Sequence, residues 1–201
     1  MRIFDINWIT QTAGPSPDNN KRIELFLKGC SRAEQGNPCP GCFNPDLWDS
    51  SAEKEHTPES VAGQIARHAP NKYITIGGGE PTDQLGELIK LCRELKKRDF
   101  HIMVITYKEL LEHLQELNPL LEYIDILVDG PYTPKEHIYV PDMIDGFYGT
   151  IGSGNQIVWD VNRNKGYESR KLAGLILERS NKLTYMVKEN SKSIKLERRV
   201  A

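Results

Sequence analysis

Three of the four cysteines in this 201-residue chain, Cys30, Cys39 and Cys42, crowd into "KGCSRAEQGNPCPGCFNPDLWD" at positions 28 to 49. Thiolates bind metals, and the Pro40-Gly41 pair inside the C-x2-C makes a tight turn that lets two sulfurs reach one inorganic centre. Three is the informative number. Structural zinc takes four closed ligands, and none of the five histidines (His56, His68, His101, His113, His137) lies near the loop in sequence. A cubic 4Fe-4S cluster held by three cysteines instead leaves one iron without a protein ligand, where a small molecule binds. The structural alternatives are a zinc loop completed by Cys92 or His56, or three unligated loop cysteines. Cys92 falls on the apolar stripe of segment 83–98 and reads as a buried small hydrophobe.

A second chemistry-bearing stretch, "GGGEP" (77–81), follows an apolar run directly. Glycines there allow a ligand's polar groups to approach the backbone, and the Glu80 carboxylate accepts charge-assisted hydrogen bonds from an ammonium group. An amino acid moiety fits both. With neither the Walker lysine nor a G-x-G-x-x-G layout, the stretch is a poor phosphate site. The plainer alternative is a Gly-rich turn before a helix capped by Thr82 or Asp83.

The elements that must position these groups alternate. Residues 23–27 read as a short strand before the cysteine loop, and 58–68 as a helix capped by Thr57. "KYITI" (72–76) is a strand, and 83–98 a helix with Leu85, Leu88, Ile89, Cys92 and Leu95 at helical spacing. "HIMVITY" (101–107) and "YIDILVD" (123–129) are strands flanking a helix expected over 108–117. Strands alternating with helices predict an α/β fold of right-handed parallel βα units, an open sheet or part of a barrel, with ligands at the C-terminal strand ends. The cysteine loop, "GGGEPT", "TYKE" and "DGPY" all follow strands and share that rim. Beyond it, 132–150 is expected as a long loop framing the site, 155–161 as a strand, 167–180 as a helix and 182–188 as a strand.

Composition bounds the function. The length predicts one domain, and 38% hydrophobic with 27% charged residues describes an ordinary folding chain. No run approaches the roughly 18 to 20 apolar residues of a membrane span, and the start lacks a signal-peptide layout, so the cytoplasm is the expected compartment and disulfides are not expected. A formal net charge of -2 gives no reason to expect nucleic acid, and the basic tail "SKSIKLERRV" is expected as a solvated end.

The ordered motifs resemble the radical S-adenosylmethionine superfamily. "LFLKGC" leading into "CPGCFNPDLWD", then "GGGEPTDQ", "ILVDGPY" and "GSGNQIVWDV", over residues 25 to 161, are similar to the activating proteins of the anaerobic (class III) ribonucleotide reductase. The resemblance implies a partial, open β/α barrel forming a single domain over 1–201, with a C-terminal extension from about 162 to 201. It implies that Cys30, Cys39 and Cys42 hold a 4Fe-4S cluster whose unique iron binds the amino and carboxylate groups of S-adenosylmethionine. Gly78, Gly79 and Glu80 would meet the methionine ammonium, and Gly41 and Phe43 would line the adenine side. Thr106 and Asp129 sit at strand ends where ribose or carboxylate contacts fall, and Asn155 and Gln156 belong on the substrate-facing side. The implied reaction takes one electron from a flavodoxin-type reductant, cleaves S-adenosylmethionine and abstracts hydrogen from a glycine of the reductase large subunit, its partner protein. No catalytic side chain beyond the cluster ligands is implied.

One departure stands out. The family's usual spacing is C-x3-C-x2-C, whereas eight residues separate Cys30 from Cys39. Gly36, Asn37 and Pro38 are turn formers that return the chain, and closing eight residues instead of three costs only about 1 kcal/mol. Expanded spacings also occur in radical enzymes acting on small molecules, such as the carboxy-deazaguanine synthases. That reading and a non-enzymatic metal-binding module remain the alternatives.

Overall fold

Short runs of β-branched and apolar residues pair in chain order. In the computed structural model, which describes residues 1–10, 21–51, 55–137, 152–163, 165–168, 184–190 and 193–199, β1 (Ile3–Thr10) lies antiparallel to β2 (Arg22–Leu27). Then β2, β3 (Tyr73–Gly78), β4 (His101–Ile105) and β5 (Ile126–Asp129) run parallel as successive neighbours. β6 (Ile157–Asp160) returns antiparallel on β5. β7 (Lys165–Glu168), β8 (Thr184–Asn190) and β9 (Ser193–Arg199) continue by antiparallel pairing. Among the described residues the order runs from β1 to β9 without the two edges meeting, so the α/β class holds and the sheet is open.

Side-chain alternation gives the two faces separate work. Ile23, Leu25 and Leu27 of β2, Ile74 and Ile76 of β3, and Ile102 and Val104 of β4 enter one apolar core with the helices. Those helices are α2 (Pro58–His68), α3 (Leu85–Lys96) and α4 (Leu114–Leu121), preceded by the single turn α1 (Ser31–Glu34) inside the cysteine loop. Thr57 caps α2 as expected, its Oγ1 accepting from Ser60 N at 3.2 Å. Cys92 is fully buried on α3 with Leu88, Leu91 and Leu95, and burial pushes its thiol far up, consistent with a small hydrophobe.

Several expectations change. The helix expected over 108–117 begins only at Leu114 and runs through Pro119 to Leu121, because Leu117, Leu120 and Leu121 are its buried positions. Lys108 to His113 instead form turns, with the Leu110 N–H donating to Asp129 Oδ2 at 2.6 Å. Segment 83–98 starts as a 3-10 turn, Pro81–Gln84, capped by Glu80 rather than by Thr82 or Asp83. Tyr167 and Glu168 belong to strand β7, and the rest of the helix expected over 167–180 lies outside the described residues. Residues 193–199 of the basic tail form strand β9, paired along the whole of β8, and residues 191, 192 and 200 lie outside the described residues. Of the loop at 132–150, residues 138–150 lie outside the described residues.

At the opposite end of the strands from the cysteines, buried Arg22 donates through Nε to Thr75 Oγ1 (2.9 Å) and meets His101 Nδ1 at 3.2 Å. An arginine only donates, so Nδ1 must accept, and His101 is neutral. Burial, with the Arg22 charge next, lowers His101 from its ordinary 6.5 to about 4. The unfolded chain therefore binds this proton near pH 6.5 and the folded chain only near 4. His101 contributes stability that is complete above pH 6.5 and is lost as pH falls from 6.5 through 4. In urea unfolding at pH 7 and pH 4.5, His101→Asn, whose Oδ1 replaces Nδ1 as acceptor, is expected to shrink the acid loss. An unchanged loss would place it elsewhere.

Candidate functional site

Strands β2 to β5 end at one rim, and the segments leaving them wall a cavity of about 510 Å³. Cys30, Cys39 and Cys42 contribute from the loop after β2, Gly77 to Glu80 from β3, Thr106 from β4 and Gly130 from β5. The interior sheet face supplies Glu24, Phe26, Thr75, Ile105 and Val128, the alternates of the core residues.

The cysteine loop is fixed by its backbone. Gly29 N donates to Leu47 O (2.8 Å) and Cys30 N to Trp48 O (3.0 Å), so the chain beyond the last cysteine closes onto the first. The extra residues after Cys30 wind into α1, and Ser31 is tied to Asp83 through N to Oδ2 (2.6 Å) and Oγ to Oδ1 (2.8 Å). Tyr107 Oη lies 3.2 Å from Ser31 Oγ. These ties show how an eight-residue spacing still brings Cys30 and Cys39 to one cavity.

N–H groups face all three sulfurs. Cys30 has backbone hydrogen bonds from Ala33 and Arg32, and Cys39 one from Tyr132. Cys42 Sγ accepts from Asn44 N and Trp48 Nε1, both at 3.5 Å. Burial is the main influence on Cys30 and Cys39 and pushes both thiols up, so as free thiols they are protonated near neutral pH. Among the described residues, no three His, Cys, Asp or Glu side chains stand at metal-holding separation. The donor set nonetheless suits an iron–sulfur centre: soft sulfurs around one cavity, with donors aimed at them. Cys92 is remote in the core, which removes it as a fourth ligand. His137, distant in sequence, does come near, its ring 6.1 Å from that of Phe43, although Nδ1 lies 3.1 Å from Gly152 O.

The glycine run lines the cavity and also packs closely against backbone. A Cβ on Gly78 would lie 2.4 Å from Leu27 O, and one on Gly79 would lie 2.2 Å from Gly29 O and 2.7 Å from Leu47 O. Both are needed first for backbone packing against β2 and the cysteine loop. Gly77 lines the cavity, and a Cβ there would meet nothing within 4 Å. It is the glycine whose missing side chain opens space, and reading strand parity would have found it.

Glu80 is fully buried. Its Oε1 accepts from Thr82 N (2.9 Å), Thr82 Oγ1 (2.6 Å) and Thr106 Oγ1 (2.7 Å), and its Oε2 from Tyr107 N (2.9 Å). Burial pushes the carboxyl up, and these four donors oppose it. Glu80 therefore clamps the ends of β3 and β4, and Thr106 serves that clamp.

Asp129 is not brought into the cavity. Its neighbours Val128 and Gly130 line the wall, so its own side chain turns to the helix side, held by Leu110 N and Ile157 N (3.3 Å). Burial raises it to about 6. Gly41 packs against Pro134, where a Cβ would fall 2.8 Å from Cγ, while Phe43 is exposed at the mouth with its ring 4.5 Å from that of Tyr132. Asn155 Nδ2 donates to Pro131 O (2.7 Å), and buried Gln156, a lining residue, donates to Gly130 O (2.9 Å). Trp48 and Tyr132 are lining residues that sequence reading missed as such. Phe43, Trp48 and Tyr132 share no sequence spacing that announces their proximity.

A cysteine-lined cavity at the end of an open α/β sheet suits an iron–sulfur protein, and the family comparison places the chain in that class. Residues 19–143 match the model of the 4Fe-4S single cluster domain, and the chain belongs to that family. More particularly, it is 28% identical over 145 residues to the anaerobic ribonucleoside-triphosphate reductase-activating protein of Vibrio cholerae, covering 68% of this chain and 86% of that protein. The Haemophilus influenzae protein of the same name is 28% identical over 149 residues, with the same coverage. The pyruvate formate-lyase-activating enzyme of Clostridium pasteurianum is 28% identical over 116 residues, 52% of this chain and 47% of that enzyme. The resemblance to activating proteins of anaerobic ribonucleoside-triphosphate reductase and pyruvate formate-lyase is thereby shown. Among the described residues, no helix is long and apolar enough to cross a membrane.

Proposed function

We propose that this chain is a radical S-adenosylmethionine activase, an open partial β/α barrel that generates a glycyl radical on the large subunit of an anaerobic ribonucleotide reductase. The observation that carries the reading is the meeting of Cys30, Cys39 and Cys42 with the Gly77 to Glu80 segment around one cavity. Coverage of most of each reductase-activating relative supports the choice of partner. A 4Fe-4S cluster held by the three cysteines would supply an electron, received from a flavodoxin-type reductant, to split S-adenosylmethionine into methionine and a 5′-deoxyadenosyl radical that takes hydrogen from glycine.

The chain's own residues would bind, orient and shield. The open side of Gly77 makes room beside the cysteines, and the backbone polar groups of Gly78 and Gly79 meet the methionine ammonium. Glu80 and Thr106 keep that edge rigid by tying β3 to β4. Phe43 and Tyr132 give the mouth aromatic faces that suit adenine and exclude water. Gln156 braces Gly130 on the substrate side. Asp129, on the opposite sheet face, is left out of the set.

Anaerobic reconstitution with iron and sulfide, then dithionite and S-adenosylmethionine, is expected to release 5′-deoxyadenosine and methionine in equal amounts. Adding a cognate reductase large subunit should produce an electron paramagnetic resonance doublet on that subunit. Uptake of zinc without iron would refute the cluster. The eight-residue spacing favours a second reading, a radical enzyme acting on a small molecule; turnover of a small substrate with no protein partner would select it.

A further inference from the structure

We propose that Trp48 is a positioning residue that braces the cysteine loop and raises the reduction potential of its cluster through an N–H···S hydrogen bond to Cys42. This rests on the cluster reading above. Trp48 touches both ends of the loop: its carbonyl accepts from Cys30 N at 3.0 Å, and its indole Nε1 donates to Cys42 Sγ at 3.5 Å. The indole nitrogen is donor only, so the bond has one direction. Leu47, just before it, is buried and accepts from Gly29 N, which anchors the ring's backbone against the strand end.

The chemistry follows from charge. One-electron reduction makes a cluster more negative and its cysteine sulfurs better acceptors, so a donor at the sulfur favours the reduced form. The donors to Cys30 and Cys39 named above are backbone groups that any residue supplies. Cys42 accepts one such backbone bond, from Asn44 N, and a second that depends on the side chain at position 48. Trp48 also lines the cavity that the three cysteines line.

The test compares the native chain with Trp48→Phe and with a chain carrying benzothienylalanine at position 48, a ring of the same outline with sulfur in place of N–H. Each is reconstituted anaerobically, assayed for iron and sulfide, and titrated with dithionite while visible absorbance and electron paramagnetic resonance are followed. Benzothienylalanine is expected to leave iron content unchanged. At a fixed potential near the native midpoint, it should lower the ratio of reduced to oxidised cluster roughly two- to tenfold, the range one hydrogen bond supplies. Trp48→Phe is expected to shift the ratio the same way. Full iron content with an unchanged potential in the benzothienylalanine chain would overturn the proposal and leave Trp48 as packing alone. Iron lost in both variants would likewise make it a purely structural brace. A native chain that forms no 4Fe-4S cluster would fail before any substitution is compared, and would sink the cluster reading together with this inference.

Discussion

Cys39→Ala is expected to reduce S-adenosylmethionine cleavage to background, a greater loss than the roughly 10- to 100-fold typical of losing an outer partner of a metal site. Cys39 lies across the eight-residue gap from Cys30 and faces the same cavity. If all three sulfurs hold one cluster, two cannot, because an additional iron would be left without a protein thiolate. The side chain contributes nothing to the apolar core, so unfolding of the apo chain should move by no more than about 1 kcal/mol. Loss of iron and of cleavage with an unchanged melt is the expected pair of results. Cys92→Ala supplies the contrast: its sulfur is buried in the core, so it should destabilise by on the order of 1 kcal/mol and leave iron content alone. Full cleavage in Cys39→Ala would show that the long-spaced cysteine is no ligand and would return the loop to a structural role.

Gly79→Ala is expected to have the largest effect on folding. The new Cβ would stand 2.2 Å from Gly29 O and 2.7 Å from Leu47 O, and both obstacles are backbone. Neither can rotate away. Gly29 O also accepts from Glu80 N at 2.7 Å, and Leu47 O from Gly29 N at 2.8 Å, so displacing either atom breaks the bonds that close the cysteine loop onto the sheet. Overpacking a tight site costs about 1–3 kcal/mol, and losing a backbone hydrogen bond adds about 1 kcal/mol. A loss of roughly 3 kcal/mol or more, with poor iron uptake, is expected from chemical unfolding and iron assay. Gly77→Ala, with open space around its Cβ, should keep native stability. Equal stability of the two variants would mean that the close approach at Gly79 relaxes without penalty.

The contrast between those glycines marks how far sequence reasoning reaches. Three cysteines around a Pro-Gly turn, a glycine run after a buried strand, and helices alternating with strands were legible because each is a local signal. So were the α2 cap at Thr57 and the burial of Cys92, which follow from a single helix's start and periodicity. Asp129 shows where the reading misjudged: it ends a strand, but strand parity turns it away from the cavity its neighbours line. The late start of α4 has the same origin, since Asp129 holds the Leu110 N–H across 19 positions.

The sequence by itself determined the α/β class, the parallel order of units, the rim where the site's residues collect and the cysteine sulfurs available there. Tertiary structure alone decided that Gly78 and Gly79 serve close backbone packing, that Glu80 clamps β3 to β4, that Trp48 reaches both Cys30 and Cys42, and that the tail pairs as β9. The physical reason is range. Periodicity, caps and turn chemistry are set within a few neighbours along the chain, whereas a carboxylate's partners, a glycine's obstacles and an indole's acceptor come from segments that meet only once the sheet has formed.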